Sequence, residues 1–149
     1  MMRLPTFELH QPTSLSEALA LGAASNGLVR FVAGGTDLWP NMKRRHESAD
    51  VVVSLRRVAE LSGVRGEAGG EIRIGAMTLL SDVAENPIIR TAYSALARAA
   101  DSISSPAIRN MGTLGGNLCL DTRCTYYNQN EEWRKSIDFC LKEEGSVCW

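Results

Sequence analysis

The chain has 149 residues, 44% of them hydrophobic, which is the length of one ordinary domain with enough apolar material to bury a core. Its 16 basic and 17 acidic residues leave a formal net charge of -1, so neither nucleic acid nor an anionic membrane surface is expected as a partner. No apolar run approaches the roughly 18 residues of a membrane span, and segment 1–12 lacks the apolar stretch of a secretory signal, which makes the cytoplasm the default location.

In chain order, segment 6–11 reads as a short strand ending at Pro12. Ser14 and Glu17 form a capping box that opens a helix with Leu15, Ala18, Leu19 and Gly22 on one face, and Asn26-Gly27 stops it. Segment 28–33 is apolar apart from Arg30 and fits a buried strand. It runs into Gly34-Gly35-Thr36-Asp37, after which a short helix is expected over 38–45, with Pro40 tolerated in its first turn. Segment 50–55 is a second buried strand and 58–61 a helical turn. The glycines between 66 and 70 separate Val64 from the alternating run Glu71-Ile72-Arg73-Ile74, a hairpin signal. Helices are expected over 78–84 and 88–102, the second alanine-rich.

Pro106 disfavours helix for the residue before it, so 107–111 is expected to be extended, with Arg109 on a strand entering Gly112-Thr113-Leu114-Gly115-Gly116-Asn117. Beyond Leu120 the composition turns polar, aromatic and cysteine-bearing with no clear period, as in an insertion loop with a helical piece at 130–141. There is no internal repeat.

Two segments carry binding chemistry. A strand that ends in Gly34-Gly35 and enters a helix leaves backbone N–H groups pointing at one spot, a nest suited to phosphate oxygens. Thr36 adds a hydroxyl donor and Asp37 a helix cap. The same pattern also serves ordinary strand-to-helix turns, and it is not the G-x-G-x-x-G fingerprint. The second segment has three glycines in five residues, at 112, 115 and 116. That is dense for a strand that merely packs, so a bulge or a close backbone approach to a ligand is expected. Asn117 offers both donor and acceptor. Two such turns in one domain favour a shared phosphate-bearing ligand.

The four cysteines, Cys119, Cys124, Cys140 and Cys148, all lie in the last part of the chain. Without a signal peptide, clustered thiols point to metal or redox chemistry rather than disulfides. Thiolate count suits zinc or an iron–sulfur cluster, and the wide spacing alone does not choose. His10 and His46 have no partner pattern and read as surface or structural. Lys43-Arg44-Arg45 reads as a solvated helix end favoured by the helix dipole. Arg109 reads as half of a structural salt bridge. No Ser–His–Asp or Cys–His arrangement is present, so no catalytic residue is assigned.

The chain resembles the FAD-binding subunits of the molybdenum hydroxylases, the group that contains xanthine dehydrogenase and carbon monoxide dehydrogenase. The resemblance rests on Phe7-Glu8-Leu9 with Pro12 and Ser16-Glu17-Ala18, on Ala33-Gly34-Gly35-Thr36-Asp37-Leu38, and on Ile74-Gly75-Ala76-Met77-Thr78. It continues through Ile108-Arg109-Asn110 and Gly112-Thr113-Leu114-Gly115-Gly116-Asn117. It implies an α+β, two-lobed FAD-binding domain of the molybdopterin dehydrogenase type, with a first lobe at 1–60 and the start of a second at 61–149. Both glycine turns would contact the FAD diphosphate, through Val32, Ala33, Gly34, Gly35, Thr36, Asp37 and Leu38, and through Thr113, Gly115, Gly116 and Asn117. Ile103 would lie against the cofactor.

The insertion 119–149 is similar to that of the 4-hydroxybenzoyl-CoA reductase beta subunits, which carry an extra [4Fe-4S] cluster in this loop. The resemblance implies Cys124, Cys140 and Cys148 as ligands with a fourth cysteine beyond Trp149, and Cys119 as a packed non-ligand or the alternative fourth. It also implies an oxidoreductase subunit that takes electrons from a ferredoxin-like donor toward a [2Fe-2S] subunit and a molybdenum cofactor subunit. The alternatives are an ordinary hydroxylase FAD subunit without the cluster, and a zinc-binding interaction module. The end at Cys148-Trp149 raises the expectation of a truncated chain.

Overall fold

The computed structural model describes residues 3–44, 46–67, 69–121 and 123–149. It falls into two compact units, up to Cys119 and from Leu120 to Trp149.

The first unit opens with a three-stranded parallel sheet of β1 (Glu8–His10), β2 (Val29–Val32) and β3 (Val51–Ser54), in the order β1-β3-β2. β3 is central, and its Val52 and Val53 are fully buried, which is why it reads as an unbroken valine run. β2 was expected to be buried as well. It pairs on one side only, and Phe31 is 47% exposed while Val32 is buried.

Helix α1 (Leu15–Ala24) connects β1 to β2. Ser14 Oγ accepts from the Glu17 N–H at 3.2 Å, but the Glu17 carboxylate accepts from the N–H of Thr13 at 2.9 Å rather than from that of Ser14. The box is thus shifted by one residue on its return side. Helix α2 (Leu38–Lys43) follows the first glycine turn. Arg45, expected as its last residue, lies outside the described residues. Val32, Met42, Ala49 and Val52 form a core here, with Phe7, Leu38 and Trp39 packed against it.

The hairpin of β4 (Val64–Gly66) and β5 (Ile72–Ile74) is antiparallel, as expected. Helix α3 (Leu80–Glu85) follows. The single helix expected over 88–102 is two: α4 (Pro87–Ala92) and α5 (Ser94–Asp101), broken at Tyr93. The Tyr93 hydroxyl donates to the carbonyl of Gly70 at 2.7 Å, so a tertiary bond holds the break where the alanine-rich pattern shows none. Val83, Ile89, Ala97 and Ala100 make a second core, joined by Val64, Ile72, Ile74 and Leu114.

The segment expected to be extended instead contains α6 (Pro106–Arg109), with Ser105 as its N-cap. Pro106 starts this helix from the first position, where its missing N–H costs nothing. It does end the preceding helical region, as expected. The second glycine turn is likewise the start of a helix, α7 (Leu114–Leu118), capped by Thr113.

The second unit holds α8 (Glu131–Ser136), N-capped by Asn130, whose side chain accepts from the N–H of Trp133 at 2.8 Å. Arg134 pairs with Glu143 at 2.7 Å, Lys142 with Asp121, and Tyr126 lies within aromatic contact of Trp133 and Trp149. Among the described residues no helix is long and apolar enough to cross a membrane.

Candidate functional site

The first glycine turn leaves β2 at the carboxyl end of the parallel sheet. Gly35 has φ +78°, a conformation that favours glycine. A Cβ there would meet the Trp39 indole at 2.2 Å, and Trp39 is itself held by stacking on Phe7 at 5.6 Å. Among the described residues, the N–H groups of Gly34, Gly35 and Thr36 are not donated to any protein acceptor. They are only half-buried, so a nest of donors stays open to a ligand. Asp37 stands at the start of α2 but does not cap it with its side chain. Its carboxylate accepts instead from Asn41 Nδ2 at 3.1 Å.

The second turn is built differently. The N–H of Leu114 donates to Thr78 O at 2.9 Å, that of Gly115 to Ala76 O at 2.8 Å, and that of Gly116 to Thr113 Oγ1 at 3.1 Å. Its backbone donors are therefore consumed inside the fold. The glycines serve proximity: a Cβ on Gly115 would lie 2.7 Å from that of Ala76, and one on Gly116 would lie 3.3 Å from that of Ala33. Thr113 is buried, Asn117 half-buried.

The two turns meet. A Cβ on Gly34 would fall 1.8 Å from the carbonyl oxygen of Met111, and one on Gly112 would be 3.7 Å from Thr36 Oγ1. Beside this junction lies a cleft of about 420 Å³, lined in part by Ala33, Gly34, Gly35, Thr36, Trp39 and Met111. The space that side chains would take at these glycines is filled by Met111, Trp39, Ala76 and Ala33, so the glycines bring the two turns together, and the residues with open donors line the cleft beside them. This arrangement fits a dinucleotide. Val32 is a core residue that also lines the cleft, and Leu38 packs against the same core.

Ile103 is half-buried on the loop after α5. Its carbonyl accepts from Arg109 Nη1 at 3.0 Å, and Arg109 Nη2 also pairs with Asp101 at 3.3 Å. Arg109 is on α6, not on a strand. The structural ion pair expected for it is present.

The sequence reading missed Gln11, Ser54 and Arg56, which line the cleft, and took Lys43, which also lines it, as a solvated helix end. Gln11 comes directly after β1, Ser54 ends β3 and Arg56 lies in the turn that follows it, on the edge where ligands collect in parallel sheets. Strand order would have pointed to them.

All four cysteines are free. Cys140 is buried, and Cys119, Cys124 and Cys148 are exposed. Cys119 is the C-cap of α7 and is exposed, so it is not packed as the small apolar side chain expected. Cys124 Sγ accepts from the N–H of Tyr127 at 3.2 Å. Among the described residues, no three His, Cys, Asp or Glu side chains stand together to hold a metal ion. Cys124, Cys140 and Cys148 do not form a ready-made centre.

The chain matches the family described as FAD binding domain in molybdopterin dehydrogenase over residues 5–127. It is 40% identical over 114 residues to the carbon monoxide dehydrogenase medium chain of Hydrogenophaga pseudoflava, covering 76% of this chain and 39% of that one. It is 39% identical over 113 residues to the nicotinate dehydrogenase FAD-subunit of Eubacterium barkeri, covering 75% and 38%. The solved structure of the H. pseudoflava carbon monoxide dehydrogenase lacking the Mo-pyranopterin moiety superposes with a TM-score of 0.73, at 40% identity, over 78% of this chain and 40% of that chain. Quinoline 2-oxidoreductase from Pseudomonas putida 86 superposes equally well, with a TM-score of 0.73 at 32% identity, over 78% and 40%. The chain spans about two fifths of the length of these relatives. A family match over most of the chain, a shared fold and a glycine junction shaped for a dinucleotide agree, and the chain belongs to the FAD-binding domain family of the molybdopterin dehydrogenases.

Proposed function

We propose that this chain is the FAD-binding portion of an electron-transferring subunit in a molybdenum hydroxylase-type complex, working with a [2Fe-2S] subunit and a molybdenum cofactor subunit. The observation that carries this reading is the junction of the Gly34-Gly35 turn with Met111-Gly112 beside open backbone donors. The N–H groups of Gly34, Gly35 and Thr36 bind diphosphate oxygens, with the Thr36 hydroxyl as a further donor. Gly116 lets the second turn close on Ala33 beside the first, Gly115 lets it seat against Ala76, Thr113 and Asn117 add side-chain contacts, and Ile103 lies against the flavin. Asp37 keeps Asn41 in place at the mouth of α2. The lobes are taken as 1–60 and 61–149. Bound flavin supplies reversible electron storage, while these residues bind and orient it.

The test is release of flavin from the purified chain on denaturation. FAD at one per chain is expected. FMN, or no flavin after incubation with excess FAD, would overturn the reading.

The finer reading is a 4-hydroxybenzoyl-CoA reductase type of subunit, with a ferredoxin-like donor and an extra [4Fe-4S] cluster. It is favoured by the segment beyond residue 127, which lies outside the family match and carries Cys140 and Cys148. Such a cluster takes four thiolates, here Cys124, Cys140 and Cys148 with Cys119 or a cysteine beyond Trp149 as the fourth, but among the described residues no three of these converge. The residues present therefore do not fit a complete cluster site. Iron and acid-labile sulfide in an anaerobic preparation would support the finer reading. FAD without iron would leave an ordinary hydroxylase-type FAD subunit, and zinc without flavin an interaction module.

A further inference from the structure

The cleft beside the glycine junction carries charge that the turns themselves do not account for. It opens at the carboxyl end of all three parallel strands: Gln11 follows β1, Ala33 to Thr36 follow β2, and Ser54 and Arg56 close β3. Two cations line it, Lys43 from the last turn of α2 and Arg56 from the 3-10 turn after β3, and among the described residues no carboxylate does. Among the described residues, neither cation is held in an ion pair. Arg30 pairs with Glu47, Arg73 with Glu71, and Arg109 with Asp101, whereas other arginines of the unit, Arg57 among them, stand in no ion pair among the described residues. What sets Lys43 and Arg56 apart is the one cleft that both line. Two unpaired cations facing one concavity raise its potential and concentrate anions there. The N–H groups that open α7 are already bonded within the fold. The charge of an anion at the junction must therefore be met from the Gly34 side.

We infer that Lys43 and Arg56 are the counter-charge for the FAD diphosphate, seating it on the carboxyl edge of the β1-β3-β2 sheet against the Gly34–Thr36 donors. This rests on the FAD reading above. A diphosphate diester carries two negative charges, and the cleft offers two cations plus neutral donors. The guanidinium of Arg56 presents a planar fork to phosphate oxygens, and Lys43 a point charge.

FAD is titrated into the full chain stripped of flavin, at low and at moderate ionic strength. Lys43→Gln and Arg56→Gln are each expected to weaken FAD binding roughly fivefold to tenfold, the double variant more, and to flatten the salt dependence. Arg57→Gln removes the same charge one residue along and is expected to bind FAD as the unaltered chain does. Lys43→Arg and Arg56→Lys, which keep the charge, should recover most of the affinity, and a purely structural role for either residue would not produce that recovery. Unchanged affinity and salt dependence in both Gln variants would overturn the inference while the FAD reading stands. So would an equal loss in Arg57→Gln. Failure of the unaltered chain to take up FAD would overturn the reading itself and this inference with it.

Discussion

Gly34 and Met111 are in closer register than any other pair across the glycine junction: a Cβ at position 34 would sit 1.8 Å from the Met111 carbonyl oxygen. The obstacle is backbone on both sides, so no rotamer change can relieve it. Gly34→Ala is expected to force the turns apart and cost roughly 3 kcal/mol or more. That corresponds to a fall in Tm of about 10 °C, with loss of FAD retention. A variant that melts like the parent and keeps its flavin would show that the two turns do not depend on this contact.

At the second turn the crowding is divided between a side chain and backbone. A Cβ on Gly115 would meet Ala76 Cβ at 2.7 Å and the Ala76 carbonyl at 2.8 Å. Gly115→Ala is expected to destabilise by about 2 kcal/mol. Adding Ala76→Gly removes only the first clash, so the double variant should recover part of the loss and no more. Full additivity of the two changes in denaturant melts would contradict the contact.

Arg109 bonds the Ile103 carbonyl at 3.0 Å and Asp101 at 3.3 Å. The residue after Ile103, Ser104, has φ +49°, a conformation that needs outside support. Arg109→Lys keeps a charge for Asp101 but loses the fork that reaches both partners. Stability should drop by about 1 kcal/mol, and FAD should bind more weakly because the loop carrying Ile103 is released. Equal affinity in a flavin fluorescence titration would separate Ile103 from the cofactor.

Asn86 accepts from the N–H groups of Ile88 and Ile89 at 3.0 and 3.2 Å, capping α4. Ile89 is fully buried in the second core, so the cap also places a core side chain. Asn86→Ala should cost about 1 kcal/mol and Asn86→Asp little, compared by thermal melts. FAD affinity should not change in either.

The sequence by itself determined the features whose causes act over a few residues. Ser14 and Glu17 announce α1, the valine run announces β3, and the spacing of Val64 and the 71–74 run announces the hairpin. The two glycine-rich segments stand out because so many missing side chains need a reason. Sequence motifs were also enough to identify the family, and 5–127 matches it. The tertiary structure alone decided what each turn does. Both turns look alike in one dimension, yet one leaves its donors open and the other spends them on Ala76, Thr78 and Thr113. It also broke the alanine-rich helix at Tyr93 through the Gly70 carbonyl. The physical reason is common to both: a backbone donor or a side-chain hydroxyl is satisfied by whichever partner the fold brings near, and most of those partners lie outside the local pattern. The helix at 106–109 has a local cause instead, Pro106 in its first position and Ser105 as its cap. Lys43 and Arg56 belong with the turns and Tyr93. They line one cleft although they come from different elements, α2 and the 3-10 turn after β3, which only the folded chain brings together.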